Sequence, residues 1–523
     1  MAALAAVAAL ACSPGDAGDG ADAAALGERP NILFVVWDTV RADHMSLYGY
    51  ERATTPALDA WAKGALVFDD VVSAAPYTVP SHASMFTGLA PSDHCANSQQ
   101  TQLDARFTTL AELLRASGYA TFLYSENPHV SEKSGFAQGF DTALHPWSDA
   151  YAERALAIVS AKVEGDASSE LAARLASTRR GEAALTAWNV KAAGELAQEA
   201  LLAFLDARTD RDAPWFAFVN YMEAHRPTIP PRRFRERFLD PASVDASYRV
   251  DRSWDTLWRY TFRRRELGAR EIELTRATYD AALLELDELF ANLLRALERG
   301  GHLRDTVVVL TADHGEHLGE HHMLDHQSTM YEPVLRVPLV LHHPARIGAG
   351  RRSDPAMNAD LFPTLLALAK ASPPDGLATS ARDLLADGAA TADGAAPRAR
   401  LAEETAEEST GVVAMRRLDP AWDATPWLRS QRALYLGRYK WIESSNGERE
   451  LYDVEADPQE SRDLAELRAI DAARMRDALA TATRGLGACA DRPPLELDPD
   501  ERALLESLGY AQPGATDASE PAP

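Results

Sequence analysis

Residues 31–38 read Asn-Ile-Leu-Phe-Val-Val-Trp-Asp, a continuous apolar run that ends in a carboxylate. Such a run, rich in β-branched residues, predicts a buried central strand of a parallel sheet. Further apolar runs follow at 119–124, 214–221, 306–311 and 336–342. Because helical stretches separate these strands, we expect an α/β fold with a large mixed, mostly parallel sheet sandwiched by helices.

Helical patterns fill most of the remaining chain. They are predicted at 55–62, 81–86, 107–117, 181–207, 271–299, 359–371 and 468–484. A strand is expected at 433–443 and another at 450–453, and the Asn446-Gly447 turn between them predicts a hairpin. We expect a leader and tether at 1–28, a catalytic domain at 29–375, a linker or surface loop at 376–399, a smaller C-terminal α+β subdomain at 400–490 and a tail at 491–523.

The bulk properties indicate a folded protein with one large and one small domain. The chain has 523 residues, of which 46% are hydrophobic and 25% charged. Its formal net charge of −25 argues against nucleic acid as a partner, since binding to a phosphate backbone needs a basic surface. A small anionic substrate is still compatible, because His, Arg and a metal ion can reverse the field inside one cleft.

The N-terminus predicts export. Residues 1–11 are almost entirely Ala, Leu and Val, too few to span a bilayer but enough for a signal-peptide core that lacks its positive start. Residues 9–12, Ala-Leu-Ala-Cys, resemble the lipobox of bacterial lipoproteins. We therefore expect a bacterial cell-envelope protein that contacts the membrane only through a lipid on Cys12. A disordered Ala-rich leader is the alternative, and pairing of Cys95 with Cys489 stays open.

A hydroxyl lies at the start of the helix predicted at 81–86. The stretch 75–88 reads Ala-Pro-Tyr-Thr-Val-Pro-Ser-His-Ala-Ser-Met-Phe-Thr-Gly, with Thr78 two residues before Pro80. Pro is favoured in a first helical turn because its missing N–H has no partner there. Thr78 is thus predicted near a helix N-terminus, where backbone N–H groups and the dipole favour an anion. The alternative is an ordinary Thr near a helix cap.

Acidic and imidazole groups follow two of the predicted strands. Asp38 ends the first strand, and Asp313-His314 follows the strand at 306–311. Carboxylates suit Mg, Ca and Mn, and an imidazole adds affinity for Mn or Zn, so a divalent-metal site is predicted here. With Thr78 as a fourth ligand, its hydroxyl would have a lowered pKa and could attack as an alkoxide. Taken alone, an Asp-His pair could equally be a loop cap or a salt bridge.

In their order along the chain, these motifs resemble the sulfatase family of the alkaline phosphatase superfamily. The resemblance is carried by residues 30–38, 78–88 and 311–316, with lesser matches at 127–129, 225–227, 331–339, 361–366, 437–442 and 450–453. It implies an alkaline phosphatase-like fold and one metal-dependent ester-cleaving site. By position, the matched metal ligands are Asp38, Asp313 and His314. His129 and His225 match residues that contact the anionic group or leaving oxygen. His326 lies within one residue of the position at which sulfatases often carry a substrate-binding Lys.

Three departures from the family pattern change the expected chemistry. Sulfatases carry a Cys or Ser that is oxidised to formylglycine where this chain has Thr78, and a secondary alcohol cannot give that aldehyde. His82 replaces the Arg of the family signature, and Thr39 stands where a second Asp follows Asp38. These changes resemble the Thr-nucleophile branch of the superfamily, which includes phosphodiesterases and phosphoglycerol- or phosphoethanolamine-transferases.

We therefore expect a hydrolase of phosphate or sulfate esters, of the phosphodiester or phosphomonoester type, that uses one divalent ion (Mn, Ca or Zn). The expected catalytic residues are Thr78, His82, His129, His225 and His326. A small or glycan-type anionic ester is the expected substrate. The alternatives are a sulfatase without formylglycine, a transferase, and an inactive glycan-binding protein. His317, His321 and His322 could supply ligands for a second metal ion, although a run of His side chains exposed to solvent is the favoured interpretation. The aromatic insertion at 248–270 is either a leaving-group wall or a packed lid.

Overall fold

The computed structural model describes residues 27–163, 193–226, 228–326, 328–373, 376, 379–386 and 397–487. Residues 1–26 with Cys12, residues 181–192 of an expected helix, Cys489 and the expected tail lie outside these ranges. Cys95 is disulfide-bonded, and the second cysteine of that bond also lies outside them. Within the described ranges, no helix is both long enough and apolar enough to cross a membrane.

The strands of the described residues occur in four sheets. They are β1 Asn31–Trp37, β2 Leu66–Phe68, β3 Val71–Val72, β4 Ala120–Ser125, β5 Thr142–Leu144, β6 Trp215–Tyr221, β7 Thr306–Thr311, β8 His317–Leu318, β9 Leu324–Asp325, β10 Leu339–His342, β11 Gly350–Arg352, β12 Ala356–Met357, β13 Ala399–Glu404, β14 Gln431–Leu436, β15 Tyr439–Ser444 and β16 Arg449–Asp453.

The α-helices of the described residues cover both faces of the main sheet and one face of the C-terminal sheet. They are α1 Pro56–Trp61, α2 Thr78–Thr87, α3 Pro91–His94, α4 Leu110–Ala116, α5 Ala152–Val163, α6 Glu195–Ala207, α7 Arg232–Arg235, α8 Pro241–Ser247, α9 Trp254–Thr261, α10 Ala269–Arg299, α11 Glu332–Leu335, α12 Leu361–Leu368, α13 Thr410–Leu418 and α14 Ala469–Ala482.

The main sheet has eight strands in the order β11-β2-β10-β7-β1-β6-β4-β5. β1 lies at its centre and pairs in parallel with both β6 and β7. β10 runs antiparallel to its neighbours β7 and β2, so the sheet is mixed. The expected α/β class is confirmed, because an apolar strand such as β1 is buried on both faces only when helices cover them.

Two expected strands have different boundaries. The run 336–342 starts directly after α11 and becomes a strand only at Leu339, because Pro338 has no N–H to donate to a neighbouring strand. The run 433–443 is two strands, β14 and β15, which turn at Gly437 with φ of +61°. Glycine adopts this left-handed conformation without the steric penalty of a side chain. The hairpin predicted around Asn446-Gly447 is present between β15 and β16.

The C-terminal sheet packs between α14 and the segment that contains α11 and β3. It is antiparallel in the order β13-β14-β15-β16. On one face, Met475 and Leu479 of α14 pack against Trp441 and Leu451. The opposite face forms a second apolar cluster with side chains from α11 and β3, among them Val72, Val334, Ala433, Tyr435 and Ile442. This second cluster therefore joins the C-terminal sheet to β3 and α11.

The insertion at 248–270 forms a packed contact rather than an open wall. Its helix α9 contributes Trp258 to a buried cluster with Val412 and Met415 of α13. The ring centroid of Phe262 lies 4.8 Å from those of both Trp422 and Trp427. The same cluster includes Leu324, which immediately precedes Asp325 and His326. The insertion thus packs beside the predicted catalytic residue His326.

Candidate active site

The predicted site residues meet at one edge of the main sheet. β1, β4, β6 and β7 are mutually parallel, so their carboxyl ends lie together. Asp38 follows β1, Asn127 follows β4, His225 follows β6, and the Asp313-His314 pair follows β7. This is the edge at which open α/β sheets place their ligands.

Thr78 is the first residue of α2 and is fully buried. Its Oγ1 lies 3.3 Å from Nε2 of His314 and accepts a hydrogen bond of 3.5 Å from Nδ2 of Asn127. The first N–H groups of a helix lack partners within the helix and carry its positive dipole end. The hydroxyl therefore lies where an incoming anionic ester would be stabilised.

Asp38, Asp313 and His314 form a compact set of donor atoms that suits a divalent cation. All three are fully buried, and their ligand atoms lie within 4.8 Å of one another. Nδ1 of His314 donates to the Gly315 carbonyl at 2.9 Å, which leaves the Nε2 lone pair facing Asp313 Oδ2 at 3.3 Å. Two buried carboxylates without a cation would be costly, so the residues fit a metal ion.

Burial shifts the pKa values of this donor set toward the neutral forms. It raises the pKa of the Asp313 carboxyl to about 7 and lowers that of the His314 imidazole to about 3. Asp313 Oδ1 also accepts hydrogen bonds from the backbone N–H groups of His314 at 2.8 Å and Thr39 at 3.2 Å. A cation would favour the ionised carboxylate and the neutral imidazole, which are the forms that bind metals.

Gly315 allows this strand end to lie directly against a neighbouring turn. A Cβ at this position would collide with the carbonyl oxygen of Pro333 and lie 3.0 Å from Cγ of Arg41. The Gly315 N–H donates to Val334 O at 2.9 Å. The glycine that follows the Asp-His pair is therefore required by packing, because any side chain would displace the loop that carries His314.

Asn127 belongs to the site although sequence reasoning gave it no role. Its Nδ2 donates to Asp38 Oδ2 at 2.8 Å and, at 3.5 Å, to Thr78 Oγ1. It therefore links a predicted metal ligand to the predicted nucleophile. The signal was present in the sequence, because Asn127 lies two residues after a buried strand, close to a strand end as Asp38 is.

His82 contacts the backbone of Thr78 and has no free nitrogen for a substrate. Nδ1 donates to the Thr78 carbonyl at 2.9 Å, and Nε2 accepts from Nδ2 of Asn220 at 3.2 Å. The ring packs edge-on against Phe86, Phe136 and Phe218. Burial lowers the pKa of His82 to about 3, so it is neutral. Both ring nitrogens of His82 thus have partners within the protein, and its catalytic role stays a prediction.

His129, His225 and His326 are buried around the same space. Nε2 of His129 lies 2.9 Å from the hydroxyl of Tyr77, the residue before Thr78. His225 donates from Nδ1 to the carbonyl of its neighbour Arg226 at 2.6 Å. The ring centroid of His326 lies 4.3 Å from that of His314 and 5.4 Å from that of His225. The structure therefore brings the three imidazoles to the edge where Thr78 lies.

The expectation of a solvated His run at 317–322 is wrong for its first member. His317 is fully buried, because the β8–β9 hairpin turns it inward opposite Asp325. His321 and His322 are half-buried, and each stacks on a tyrosine, at centroid distances of 3.9 Å from Tyr331 and 4.1 Å from Tyr260.

Comparison with known proteins gives a consistent family match. The family model described as Sulfatase matches residues 30–371, a range that contains Thr78 and the Asp313-His314 pair. A choline-sulfatase from Rhizobium meliloti (strain 1021) is 24% identical over 462 residues, which cover 84% of this chain and 83% of that protein.

Solved structures match over a similar extent. The phosphonate monoester hydrolase of Agrobacterium radiobacter has a TM-score of 0.65 at 20% identity and covers 89% of this chain and 100% of its own. BT4656, in complex with its substrate D-glucosamine-2-N,6-O-disulfate, has a TM-score of 0.64 at 21% identity and covers 87% of this chain and 98% of its own. At this identity, the two structures establish the fold.

Proposed function

The chain belongs to the sulfatase family of the alkaline phosphatase superfamily and is an ester hydrolase of that family. We propose that Thr78 is the nucleophile of this hydrolase. The proposal rests on one observation, the buried Thr78 hydroxyl at the start of α2 within 3.3 Å of His314. The preferred substrate is a phosphate monoester or diester, either small or attached to a glycan.

One divalent cation, either Mn, Ca or Zn, completes the proposed site. Asp38, Asp313, His314 and Thr78 would hold it, since their oxygen and imidazole donors suit such ions. When bound, the cation would lower the pKa of the Thr78 hydroxyl and so favour its alkoxide. Asn127 would hold the Asp38 carboxylate and the Thr78 hydroxyl in their relative positions through its two hydrogen bonds.

The reaction has two displacements. Thr78 Oγ1 forms a bond to phosphorus as the ester P–O bond breaks, and the proton that Thr78 gives up balances the one that the leaving alcohol gains. His225 is the proposed acid: its Nδ1 donates to the Arg226 carbonyl, its Nε2 takes up a proton from water before the reaction and gives that proton to the leaving oxygen, and the proton of Thr78 passes to water. Water then attacks phosphorus on the opposite side, phosphate leaves, and Thr78 recovers a proton. The N–H groups at the start of α2 stabilise the charge on the transferring group.

Phosphate is favoured over sulfate because of the nucleophile. Formylglycine can expel sulfate by collapse of its hydrate, whereas a sulfo-Thr ester would have to be hydrolysed directly. The structural neighbours include proteins for both ester types, a phosphonate monoester hydrolase and a protein bound to a disulfated glucosamine. A sulfate ester as substrate, transfer to an alcohol and glycan binding without turnover are the remaining alternatives.

The test is turnover by the purified protein, loaded with Mn, Ca or Zn in turn, on p-nitrophenyl phosphate, phosphodiester, phosphonate and sulfate. We expect turnover of a phosphorus ester that Thr78→Ala abolishes and Thr78→Ser retains, with Thr87→Ser at the other end of α2 as the control. Mass spectrometry of acid-quenched protein should find one phosphoryl group on the Thr78 peptide. Sulfate turnover that survives Thr78→Ala would exclude the nucleophile, and no turnover with metal bound would favour glycan binding.

Export to a bacterial cell envelope with a lipid on Cys12 is the proposed location. It is supported by the apolar residues 1–11 and by the Ala-Leu-Ala-Cys sequence at 9–12. The full chain expressed in a bacterial host should take up a labelled fatty acid and enter the membrane fraction. Cys12→Ser should abolish both, and unlabelled wild-type protein in the soluble fraction would contradict the anchor.

A further inference from the structure

A second group of potential ligands adjoins the first. Glu316, Asp325 and His326 are buried, and their ligand atoms also lie within 4.8 Å of one another. Glu316 follows β7 by a short loop, and the other two come from the end of the β8–β9 hairpin. The His326 ring centroid lies 4.3 Å from that of His314, so the two groups share one wall.

The distances between the donor atoms of this second group match those between atoms that bind the same metal ion. Nδ1 of His326 lies 3.1 Å from Asp325 Oδ1 and 3.6 Å from Glu316 Oε2. Metal–ligand bonds of about 2.1 Å at tetrahedral or octahedral angles place donor atoms roughly 3.0–3.4 Å apart. A first-row divalent cation between these atoms would therefore need only small side-chain adjustments.

The charge balance of the two groups also calls for a second cation. Together they hold four buried carboxylates, and Arg226 Nε lies 4.0 Å from Glu316 Oε2. With one divalent ion in the first group, these charges would still sum to a net negative value. A site that takes an anionic ester, as proposed above, needs the opposite sign, which a second divalent ion would supply.

A neighbouring imidazole gives an independent indication of a ligand. His317 is fully buried, and neither of its ring nitrogens has a hydrogen-bond partner among the described residues. It lines the same small cavity as Asp325 and His326. Buried polar groups are normally hydrogen-bonded, so an unsatisfied imidazole at a cavity wall points to an ion or water that fills that cavity.

We propose that Glu316, Asp325 and His326 hold a second divalent cation, Zn²⁺ or Mn²⁺, with His317 facing the same cavity. The proposal builds on the ester hydrolase proposed above, and it makes the protein a two-metal enzyme. Two carboxylates and an imidazole are the donor types that these borderline ions accept. The competing interpretation is a protonated His326 held between the two carboxylates without a metal.

The test counts metal ions without using turnover. The whole chain is stripped with a chelator, reloaded with Zn²⁺ or Mn²⁺, freed of excess metal and analysed by elemental mass spectrometry. We expect two ions per wild-type chain and one in the Glu316→Gln/Asp325→Asn double variant. The control Glu266→Gln removes an exposed carboxylate that contacts His322 of the same loop, and it should keep both ions. Thermal unfolding of each variant checks that it folds.

A spectroscopic readout locates the pair. Two Mn²⁺ ions in adjoining groups should give a coupled electron paramagnetic resonance spectrum, which the double variant replaces with that of an isolated ion. One ion in both the wild type and the double variant would overturn the proposal in favour of protonated His326. Two ions in both would also overturn it, because the second ion would then be bound without Glu316 and Asp325. Two ions without ester turnover would support the second metal site and contradict the proposed function. Ester turnover with only one ion bound would support the proposed function and contradict the second metal site.

Discussion

His82 donates from Nδ1 to the backbone carbonyl of Thr78 at 2.9 Å, one helical turn away in α2. The family places an Arg at this position, but here a neutral ring packs into the core and holds the residue proposed as nucleophile. Asn220 of β6 donates to the other ring nitrogen at 3.2 Å. The start of α2 is thereby tied to the main sheet through one side chain.

His82→Ala should reduce stability and kcat together. It removes both hydrogen bonds and leaves a cavity among three phenylalanine rings, which costs about 2–4 kcal/mol of unfolding free energy. His82→Gln, whose amide can still donate to the Thr78 carbonyl, should restore part of kcat. Urea unfolding and steady-state kinetics check both effects. A rise in KM with kcat unchanged would instead indicate that His82 contacts the substrate.

Asn127→Ala should weaken metal retention and turnover. It removes the donor that orients Asp38 and Thr78, and residues that orient metal ligands typically contribute about 10–100-fold to affinity or activity. Asn127→Asp should behave in the same way, because a carboxylate cannot donate. Metal titration and kcat/KM measure the effect against Asn446→Ala in an exposed turn. Unchanged metal affinity in both Asn127 variants would contradict the role.

The sequence was sufficient to predict the meeting of Asp38, Thr78, Asp313 and His314. Each of these residues lies at the end of an apolar strand or the start of a helix, and the carboxyl ends of parallel strands meet at one edge. The same rule applied to β4 would have found Asn127. These features depend on local pattern and sheet topology, which a sequence expresses directly.

The sequence was not sufficient for residues whose direction depends on packing. The inward direction of His82 is set by the contact of α2 with Phe218, which the helical pattern does not reveal. Glu316 and His326 meet only because the short β8–β9 hairpin folds back, and strands of two residues carry almost no periodic signal. The burial of His317 has the same cause.

Glu404 should make stability depend on pH. Burial raises the pKa of its carboxyl from 4.5 to about 8. The folded state then binds this proton more tightly than the unfolded chain, so stability is highest at low pH and falls as pH rises from about 4.5 to about 8. Between pH 5 and pH 8, the wild type should lose more than about 1 kcal/mol relative to Glu404→Gln.

Chemical unfolding at the two pH values measures this difference. Glu407→Gln, at an exposed position three residues along the chain, serves as the matched control and should follow the wild type. If the unfolding free energies of Glu404→Gln and the wild type changed with pH in parallel, the Glu404 carboxyl would have to be ionised in the folded state, which would contradict the pKa shift expected from its burial.

Lys440→Met should destabilise the whole chain because it unpairs a buried ionic cluster. Lys440 Nζ lies 3.0 Å from Glu332 Oε1 of α11 and 2.7 Å from Glu460 Oε1, and all three residues are buried. Removing the cation leaves two buried carboxylates, of which Glu332 still has the Arg336 guanidinium at 4.0 Å, and this costs about 3–5 kcal/mol. Urea unfolding should show a lower midpoint than the wild type.

The control for this change is Lys370→Met, which removes an exposed lysine that lies 3.6 Å from Glu28 and should leave the midpoint almost unchanged. A triple variant that also carries Glu332→Gln and Glu460→Gln should recover part of the loss, because amides are cheaper to bury than carboxylates. If Lys440→Met unfolded at the wild-type midpoint, the two carboxylates would have to be protonated at neutral pH, and the C-terminal sheet would be held by its apolar face alone.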